Sequence, residues 1–255
     1  MMRGLFCDTR AMAARCLLLS KRNPDIILTS VVTPVLMMIL FTYVLGGAMD
    51  VGNGSYVNFI VPGILLQSLG QCAATTAISV STDIKTGIID RFCTMPIHKS
   101  SVLTGHVLEA FARNVLASVL VIAVALLVGF RPGAGLTGWL VTACILVLYI
   151  LAMSWISVFF GILAKSPEGA GAFSVFAIAL PYLSSGFVPI DTMPEALRIF
   201  AKYQPMTPII DTLRAALTGS AVKIDTCVVA MSWCVVLLVV FYLLSVKIFK
   251  KRTSN

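Results

Sequence analysis

The charged positions of this chain are separated by long apolar stretches. Stretches without Asp, Glu, Lys or Arg lie between Asp25 and Asp50, Asp50 and Asp83, Arg113 and Arg131, Arg131 and Lys165, Glu168 and Asp191, and Asp225 and Lys247. A helix needs about 20 apolar residues to cross a bilayer. The pattern therefore predicts six transmembrane helices, near residues 26–48, 58–81, 107–130, 136–162, 170–188 and 226–247.

The N-terminal segment has the pattern of a helix lying in a membrane interface. Residues 1–24 place Met12 and Cys16 on an apolar face, and basic side chains flank that face on both sides. Long basic side chains at such positions reach toward lipid headgroups. Pro24 would end the helix, because proline lacks the backbone N–H and clashes with the preceding turn.

The segment between the fifth and sixth predicted spans, residues 189–225, is too long for a simple turn. Asp191 or Thr192 would cap a first short helix. A second would start at Pro208 and stop at Gly219. We expect both helices to re-enter the membrane from its outer side.

Composition excludes a soluble domain. Of the 255 residues, 58% are hydrophobic and 12% are charged, against about 25% charged in an ordinary soluble domain. The predicted fold class is all-α: a polytopic membrane protein with six transmembrane helices, an N-terminal interfacial helix and outer re-entrant helices. No polar linker divides the chain. One domain, 1–255, is therefore expected, with the interfacial helix at 1–24, the six-span region at 26–247 and a cytoplasmic tail at 248–255.

The distribution of basic residues predicts the orientation of the chain. Most of the 19 Lys and Arg residues fall in segments 1–25, 82–113, 163–168 and 247–255, and the formal net charge is +8. Cytoplasmic loops carry an excess of Lys and Arg, so both termini are expected in the cytoplasm. Anionic lipid headgroups are the expected partner of these charges, and nucleic acid is not.

No motif for catalysis, metal binding or cofactor binding is found. The phosphate-binding pattern GxxxxGK[ST] is absent. Gly133, Gly135 and Gly138 spell GxGxxG, but they follow a membrane helix rather than a strand. The seven cysteines lack metal or disulfide spacing, and His98 and His106 stand alone in the sequence. We therefore expect no enzyme activity and no metal or cofactor bound by this chain. If this protein moves a solute uphill, the energy would come from a partner, because the central stretches carry no charge that could couple an ion.

Polar residues recur at every fourth position of the second predicted span. This stripe consists of Gln67, Gln71, Thr75 and Ser79. In lipid such groups need a partner or water. Two interpretations stay open: the stripe bonds helix to helix, or it lines a substrate route.

Three groups of motifs occur in a fixed order along the chain. The segment 83–106 contains Asp83, Gly87, Asp90–Arg91 and Pro96–Ile97; the second span opens with Tyr56, Phe59, Pro62 and Gly63; the region after the fifth span contains Ser185, Gly186, Phe187, Pro189, Met193, Pro194, Pro205, Thr207 and Arg214. Together these motifs resemble the ABC type-2 permeases, specifically the daunorubicin-resistance branch of bacterial drug exporters. The chain differs from typical members at Phe92 and Cys93.

The resemblance implies a half-transporter of two permease copies, identical or related, and two ATP-binding subunits that bind ATP and Mg. It implies a bacterial inner-membrane location, a coupling helix seated on the ATPase and outer helices that cap the exit. The ATPase-coupling residues would be Asp83, Gly87, Asp90, Arg91 and Pro96. The substrate route would contain Gln67, Gln71, Thr75, Ser79, Tyr182 and Phe187.

The function implied is export of amphiphilic drugs, antibiotics or lipid-like compounds. Export of a cell-surface glycan or envelope polymer is an alternative within the family. A membrane scaffold or sensor without transport is an alternative from another class. An adjacent gene for a Walker-type ATPase would favour a transporter over a scaffold.

Overall fold

The computed structural model describes residues 2–46, 56–95 and 98–253, and all regular secondary structure in these residues is helical. The α-helices are α1 Met2–Arg22, α2 Pro24–Leu40, α3 Tyr56–Lys85, α4 Ile88–Thr94, α5 Lys99–Val128, α6 Leu136–Leu163, α7 Pro167–Gly171, α8 Phe173–Tyr182, α9 Glu195–Tyr203, α10 Met206–Thr218 and α11 Ile224–Thr253. A π-helical segment, Phe41–Leu45, continues α2, and a 3-10 turn, Ile190–Thr192, precedes α9.

Four helices in the described part of the chain are long and apolar enough to cross a membrane. They are Tyr56–Lys85, Ser100–Val128, Leu136–Leu163 and Ile224–Arg252. These helices coincide with the second, third, fourth and sixth predicted spans. Helix α5 begins eight residues before the predicted start at 107, and α11 continues through most of the predicted tail at 248–255.

The first and fifth predicted spans are not confirmed as single crossing helices. Around the first, α2 begins at Pro24 and the π-helical segment continues it to Leu45, and the described residues contain a shorter apolar helix, Val32–Val44. The fifth, expected over 170–188, is divided at Ala172 into α7 and α8, and α8 ends at Tyr182. Glycines on either side of the division weaken the helix there, although Ala172 keeps helical backbone angles, and Pro181 lies beside the C-terminal end of α8. The all-helical class is confirmed, and the count of six spans stays a prediction.

Two short helices follow in the predicted outer segment. The second, α10, begins at Met206, two residues before the predicted Pro208, and ends at Gly219, which has a φ of 75°. The first, α9, is preceded by Pro194 rather than capped by Asp191 or Thr192. Helix α10 is largely buried and α9 is largely exposed. Their existence agrees with the sequence prediction, and re-entry into a membrane stays a prediction.

Helix α3 is the centre of the fold. The buried share of its apolar window is 78%, against 11% for α11. Leu66 of α3 packs with Tyr149 of α6 and Ile209 of α10 in one hydrophobic core. Close packing against α8 requires glycine at Gly70, because a Cβ there would lie 2.5 Å from the Ala177 carbonyl oxygen. Residues on α3 therefore contact most other elements of the bundle.

Helix α1 lies along α5 and is tied to it by polar and backbone contacts. Asp8 Oδ2 accepts a hydrogen bond from the backbone N–H of His98 at 3.1 Å. A Cβ at Gly105 would lie 2.7 Å from Met12 Cβ, so only glycine permits this approach. The interfacial helix predicted at 1–24 is thus a helix, and it is packed against the start of a candidate span.

Candidate functional site

The polar stripe of α3 is divided between two environments. Gln67 is buried, whereas Gln71, Thr75 and Ser79 are partly exposed. Gln67 lies toward the end of α3 that contacts Phe187, and Ser79 lies more than three turns further along. The stripe is therefore not one uniform surface.

Gln67 joins an aromatic cluster. Its Nε2 donates a hydrogen bond to the Tyr182 hydroxyl at 2.7 Å. The Tyr182 ring stacks on Phe187 with centroids 4.6 Å apart, and Phe41 lies 4.8 Å from Phe187. Three predicted route residues, Gln67, Tyr182 and Phe187, are thus brought together. Gln67 Oε1 is buried and has no hydrogen-bond partner among the described residues.

Arg214 anchors α10 beside this cluster. Its guanidinium carbon lies 3.9 Å from the centroid of the Phe59 ring. Its Nη1 donates to Asp211 Oδ1 at 2.9 Å, and its Nη2 donates to the Ser185 carbonyl oxygen. Arginine suits this site because its planar guanidinium stacks and donates in several directions at once. The contact fixes α10 against the turn that carries Phe187.

Thr75 and Ser79 line a cavity between α1, α3 and α5 with a volume of about 410 Å³. Gln71 does not line this cavity. Asp83 is also in the lining, at the opposite end of α3 from Tyr56. The stripe therefore leads from the aromatic cluster toward a charged cavity, and α3 connects the two.

Asp83, one of the predicted ATPase-coupling residues, is buried in an ion pair, and its coupling role stays a prediction. Its oxygens accept hydrogen bonds from Arg15 Nη1 at 2.7 Å and Nη2 at 3.2 Å. His106 Nε2 lies 3.2 Å from Asp83 Oδ2. The hydrogen bonds to Asp83 favour the charged guanidinium and raise the pKa of Arg15 above its ordinary value. Asp83 therefore ties α1 to α3 and α5.

A second buried ion pair lies deeper along α5. Arg113 Nε donates to Glu109 Oε1 at 3.0 Å, one helical turn away. Its Nη2 donates to Thr76 Oγ1 at 2.7 Å, and its Nη1 donates to the Cys72 carbonyl oxygen at 3.2 Å. Both side chains are buried against α3, and pairing offsets the cost of removing each charge from water.

The remaining coupling residues form a short surface helix. Gly87 precedes α4 with a φ of 70°, a conformation that favours glycine because other residues have a Cβ. Asp90 and Arg91 on α4 are exposed. The Arg15 guanidinium lies 5.1 Å from the Phe92 ring centroid, so α1 contacts α4 as well as α3. Pro96 lies outside the described residues.

Sequence reasoning missed Arg15 and His106 as site residues. Their partner Asp83 is 68 positions from Arg15 in the chain, and no local pattern joins them. The one available signal was that Arg15 and Cys16 sit next to the apolar face of a helix expected beside the membrane. Cys16 Sγ lies 3.8 Å from His106 Nδ1.

These structural features define the class of protein. The chain is an all-helical integral membrane protein in the residues described, with a short charged helix after a glycine of positive φ at one end of α3 and an aromatic cluster at the other. It belongs to the ABC-2 type transporter family, which it matches over residues 8–218. Family membership makes it a transporter component rather than an enzyme. Permeases of this family normally work with an ATP-binding subunit.

Individual relatives support the same assignment. The chain is 28% identical over 244 residues to the daunorubicin resistance ABC transporter permease protein DrrB1 of Streptomyces coeruleorubidus, covering 94% of this chain and 85% of the relative. It is 26% identical to the "Probable doxorubicin resistance ABC transporter permease protein DrrC" of Mycobacterium tuberculosis, covering 77% and 71%. It is 25% identical to the inner membrane transport permease YadH of Escherichia coli, covering 84% and 83%. The family resemblance inferred from the motifs is confirmed.

Proposed function

We propose that this chain is the transmembrane permease subunit of an ATP-binding-cassette exporter. It would move amphiphilic drugs, antibiotics or lipid-like compounds across a bacterial inner membrane. ATP and Mg would be bound and ATP hydrolysed by a separate subunit. Two permease copies, identical or related, would complete the transporter, with six spans each and both termini in the cytoplasm.

The observation that carries this proposal is the construction of α4. It is a seven-residue helix that follows a glycine of positive φ and presents Asp90 and Arg91 to solvent. A short charged helix outside the apolar bundle is suited to a polar interface with a soluble partner. Arg15 of α1 contacts both Phe92 of α4 and Asp83 of α3, so a displacement of α4 would be passed to the bundle.

The aromatic cluster supports the assignment of amphiphilic cargo. A route for amphiphiles needs apolar walls with a few hydrogen-bonding groups. The rings of Phe41, Tyr182 and Phe187 supply the walls, and the free Oε1 of Gln67 supplies an acceptor. The names of two relatives refer to daunorubicin and doxorubicin resistance, and both compounds serve as test ligands.

Copurification and ATP turnover test the proposal. The chain is coexpressed with a candidate ATP-binding subunit from the same genome, purified through a tag on the permease, and reconstituted in liposomes. We expect the ATPase to copurify and doxorubicin to stimulate ATP turnover. Turnover stimulated by an envelope glycan and not by doxorubicin would favour the glycan alternative. Absence of any associated ATPase would favour the scaffold alternative.

A further inference from the structure

The cavity between α1, α3 and α5 has the lining of a headgroup-binding site. Its volume is about 410 Å³, within the range of small-molecule sites. It is lined by Arg15, Cys16, Leu19, Ser20, Asn23, Thr75, Ile78, Ser79, Thr82, Asp83, Thr86, Ile88, His106, Glu109 and Arg113. Asn23, Thr82 and Thr86 are exposed, so the cavity opens beside the C-terminal end of α1.

The cavity is lined by two guanidinium groups, two carboxylates and His106, which lies 3.2 Å from Asp83. Arg15 pairs with Asp83, and Arg113 pairs with Glu109. The side chains of Arg113 and Glu109 are 6% and 9% exposed. Charges this far from water attract an opposite charge more strongly than surface charges do. A purely anionic headgroup would be repelled by both carboxylates, and a purely cationic headgroup would be repelled by both guanidinium groups.

Uncommitted hydrogen-bonding groups accompany these charges. Thr75 and Ser79 have no hydrogen-bond partner among the described residues. Leu19 and Ile78 are exposed apolar residues of the same lining. A ligand that fills the cavity would therefore combine a charged polar head with an apolar part that lies along α1 and α3.

We propose that this cavity binds the zwitterionic headgroup of an amphiphile that carries a primary ammonium and a phosphate. The ammonium donates to the Asp83 and Glu109 carboxylates, and the phosphate accepts hydrogen bonds from Arg15 and Asn23. The apolar chains lie against Leu19 and Ile78. The headgroup is either that of a resident membrane lipid or that of cargo entering from the inner leaflet. The second case rests on the proposed export function, and the binding itself does not.

Binding is tested with the purified full chain in detergent by native mass spectrometry. The probes are dilauroylphosphatidylethanolamine, which is zwitterionic, and dilauroylphosphatidylglycerol, which is anionic. We expect the wild type to retain the ethanolamine lipid about tenfold more tightly, the effect of one additional charge-assisted hydrogen bond. Equal retention of the two lipids, or preference for the glycerol lipid, would overturn the proposal.

Two matched variants locate the site. Ser79→Leu fills the cavity with an apolar side chain and leaves both ion pairs in place. Ser232→Leu makes the same change on the exposed surface of α11, outside the cavity. We expect Ser79→Leu to lose the ethanolamine preference with an unchanged melting temperature, and Ser232→Leu to keep it. Thr75→Leu provides a second cavity variant. Retention of the preference by Ser79→Leu and Thr75→Leu would contradict the assignment.

The source of the headgroup is determined separately in proteoliposomes that contain the partner ATPase. A fluorescent phosphatidylethanolamine that changes leaflet on addition of ATP identifies cargo. A fluorescent phosphatidylethanolamine that does not change leaflet, but still binds to the wild type and not to Ser79→Leu, identifies a resident lipid. Both results support the headgroup site. Failure of all ATP-driven transport with intact binding would contradict the export function and leave this inference standing.

Discussion

Two glutamines of the same stripe have different surroundings at the residue scale. Gln67 is buried and bonded to Tyr182, whereas Gln71 is partly exposed and makes no hydrogen bond with the described residues. The two interpretations that the sequence leaves open, packing and substrate route, therefore apply to different members of the stripe. In the Gln67 side chain the amide nitrogen is hydrogen-bonded and the amide oxygen is not. In the Gln71 side chain neither amide atom has a hydrogen bond with the described residues.

Substitution by leucine separates the two roles. Gln67→Leu removes a hydrogen bond between helices, typically worth about 0.6–2 kcal/mol in a membrane, so we expect a lower melting temperature of the purified protein. Gln71→Leu removes only exposed polar atoms, so we expect unchanged melting and altered ligand-stimulated ATP turnover. The reverse pattern, or unchanged ligand preference in both variants, would contradict a route through the stripe.

The stripe itself was readable in the sequence, because a four-residue period places side chains on one helix face. The division of the stripe into a buried part and a partly exposed part was not readable in the sequence. The partner of Gln67 lies 115 positions away in α8, and apart from Asp83 the charges beside Ser79 come from α1 and α5. Such neighbours depend on how distant helices pack. For the same reason the sequence identified Asp83 but not its burial against Arg15.

At the scale of elements, α1, α3 and α4 meet at one junction. Gly87 allows the chain to turn from α3 into α4, and Arg15 reaches from α1 to Asp83 and Phe92. The junction therefore has a backbone hinge and a side-chain tether. Each can be changed without touching the exposed charges of α4.

The hinge is tested by Gly87→Ala. A residue with a Cβ in the left-handed region costs roughly 1–2 kcal/mol, although nothing lies within 4 Å of the added atom. We expect α4 to shift and the coupling of ATP turnover to doxorubicin to weaken. Gly135→Ala is the control, since Gly135 also has open space but an ordinary φ of −73°. Equal coupling in the two variants would refute the hinge.

The tether is tested by Arg15→Gln. This change leaves the largely buried Asp83 without its guanidinium, and loss of a hydrogen bond to a charged group costs about 1.5–3 kcal/mol. We expect a lower melting temperature in detergent. Arg10→Gln, at an exposed position of the same helix, should melt like the wild type. If both variants melt like the wild type, the ion pair does not hold α1 in place.

At the scale of the whole molecule, the sequence predicted the helical membrane class and the positions of four long helices. These follow from apolar length and charge spacing, which are local properties. Residues 170–188 show the limit of this reasoning: they are apolar enough for a span, but α7 ends at Gly171 and α8 ends at Tyr182, beside Pro181. Apolar length predicts burial in lipid, and helix continuity depends on backbone chemistry as well.

The orientation of the molecule is tested by labelling intact cells with a membrane-impermeant thiol reagent. Lys202→Cys on α9 and Thr94→Cys on α4 are both at exposed positions, in a background without the seven native cysteines. The excess of basic residues around α4 predicts labelling of the α9 cysteine only. Labelling at position 94 with none at position 202 would contradict the predicted orientation of the chain in the membrane.

ATP-driven uptake of doxorubicin into proteoliposomes, with the partner ATPase present, tests the central claim most directly. Arg91→Glu reverses an exposed charge on α4, and Arg198→Glu makes the same change on exposed α9. Like charges at a polar interface cost several kcal/mol, and tenfold corresponds to about 1.4 kcal/mol. The account predicts ATP-dependent uptake by the wild type and by Arg198→Glu, and uptake at least about tenfold slower for Arg91→Glu. Wild-type uptake by Arg91→Glu, or no ATP-dependent uptake by the wild type, would contradict it.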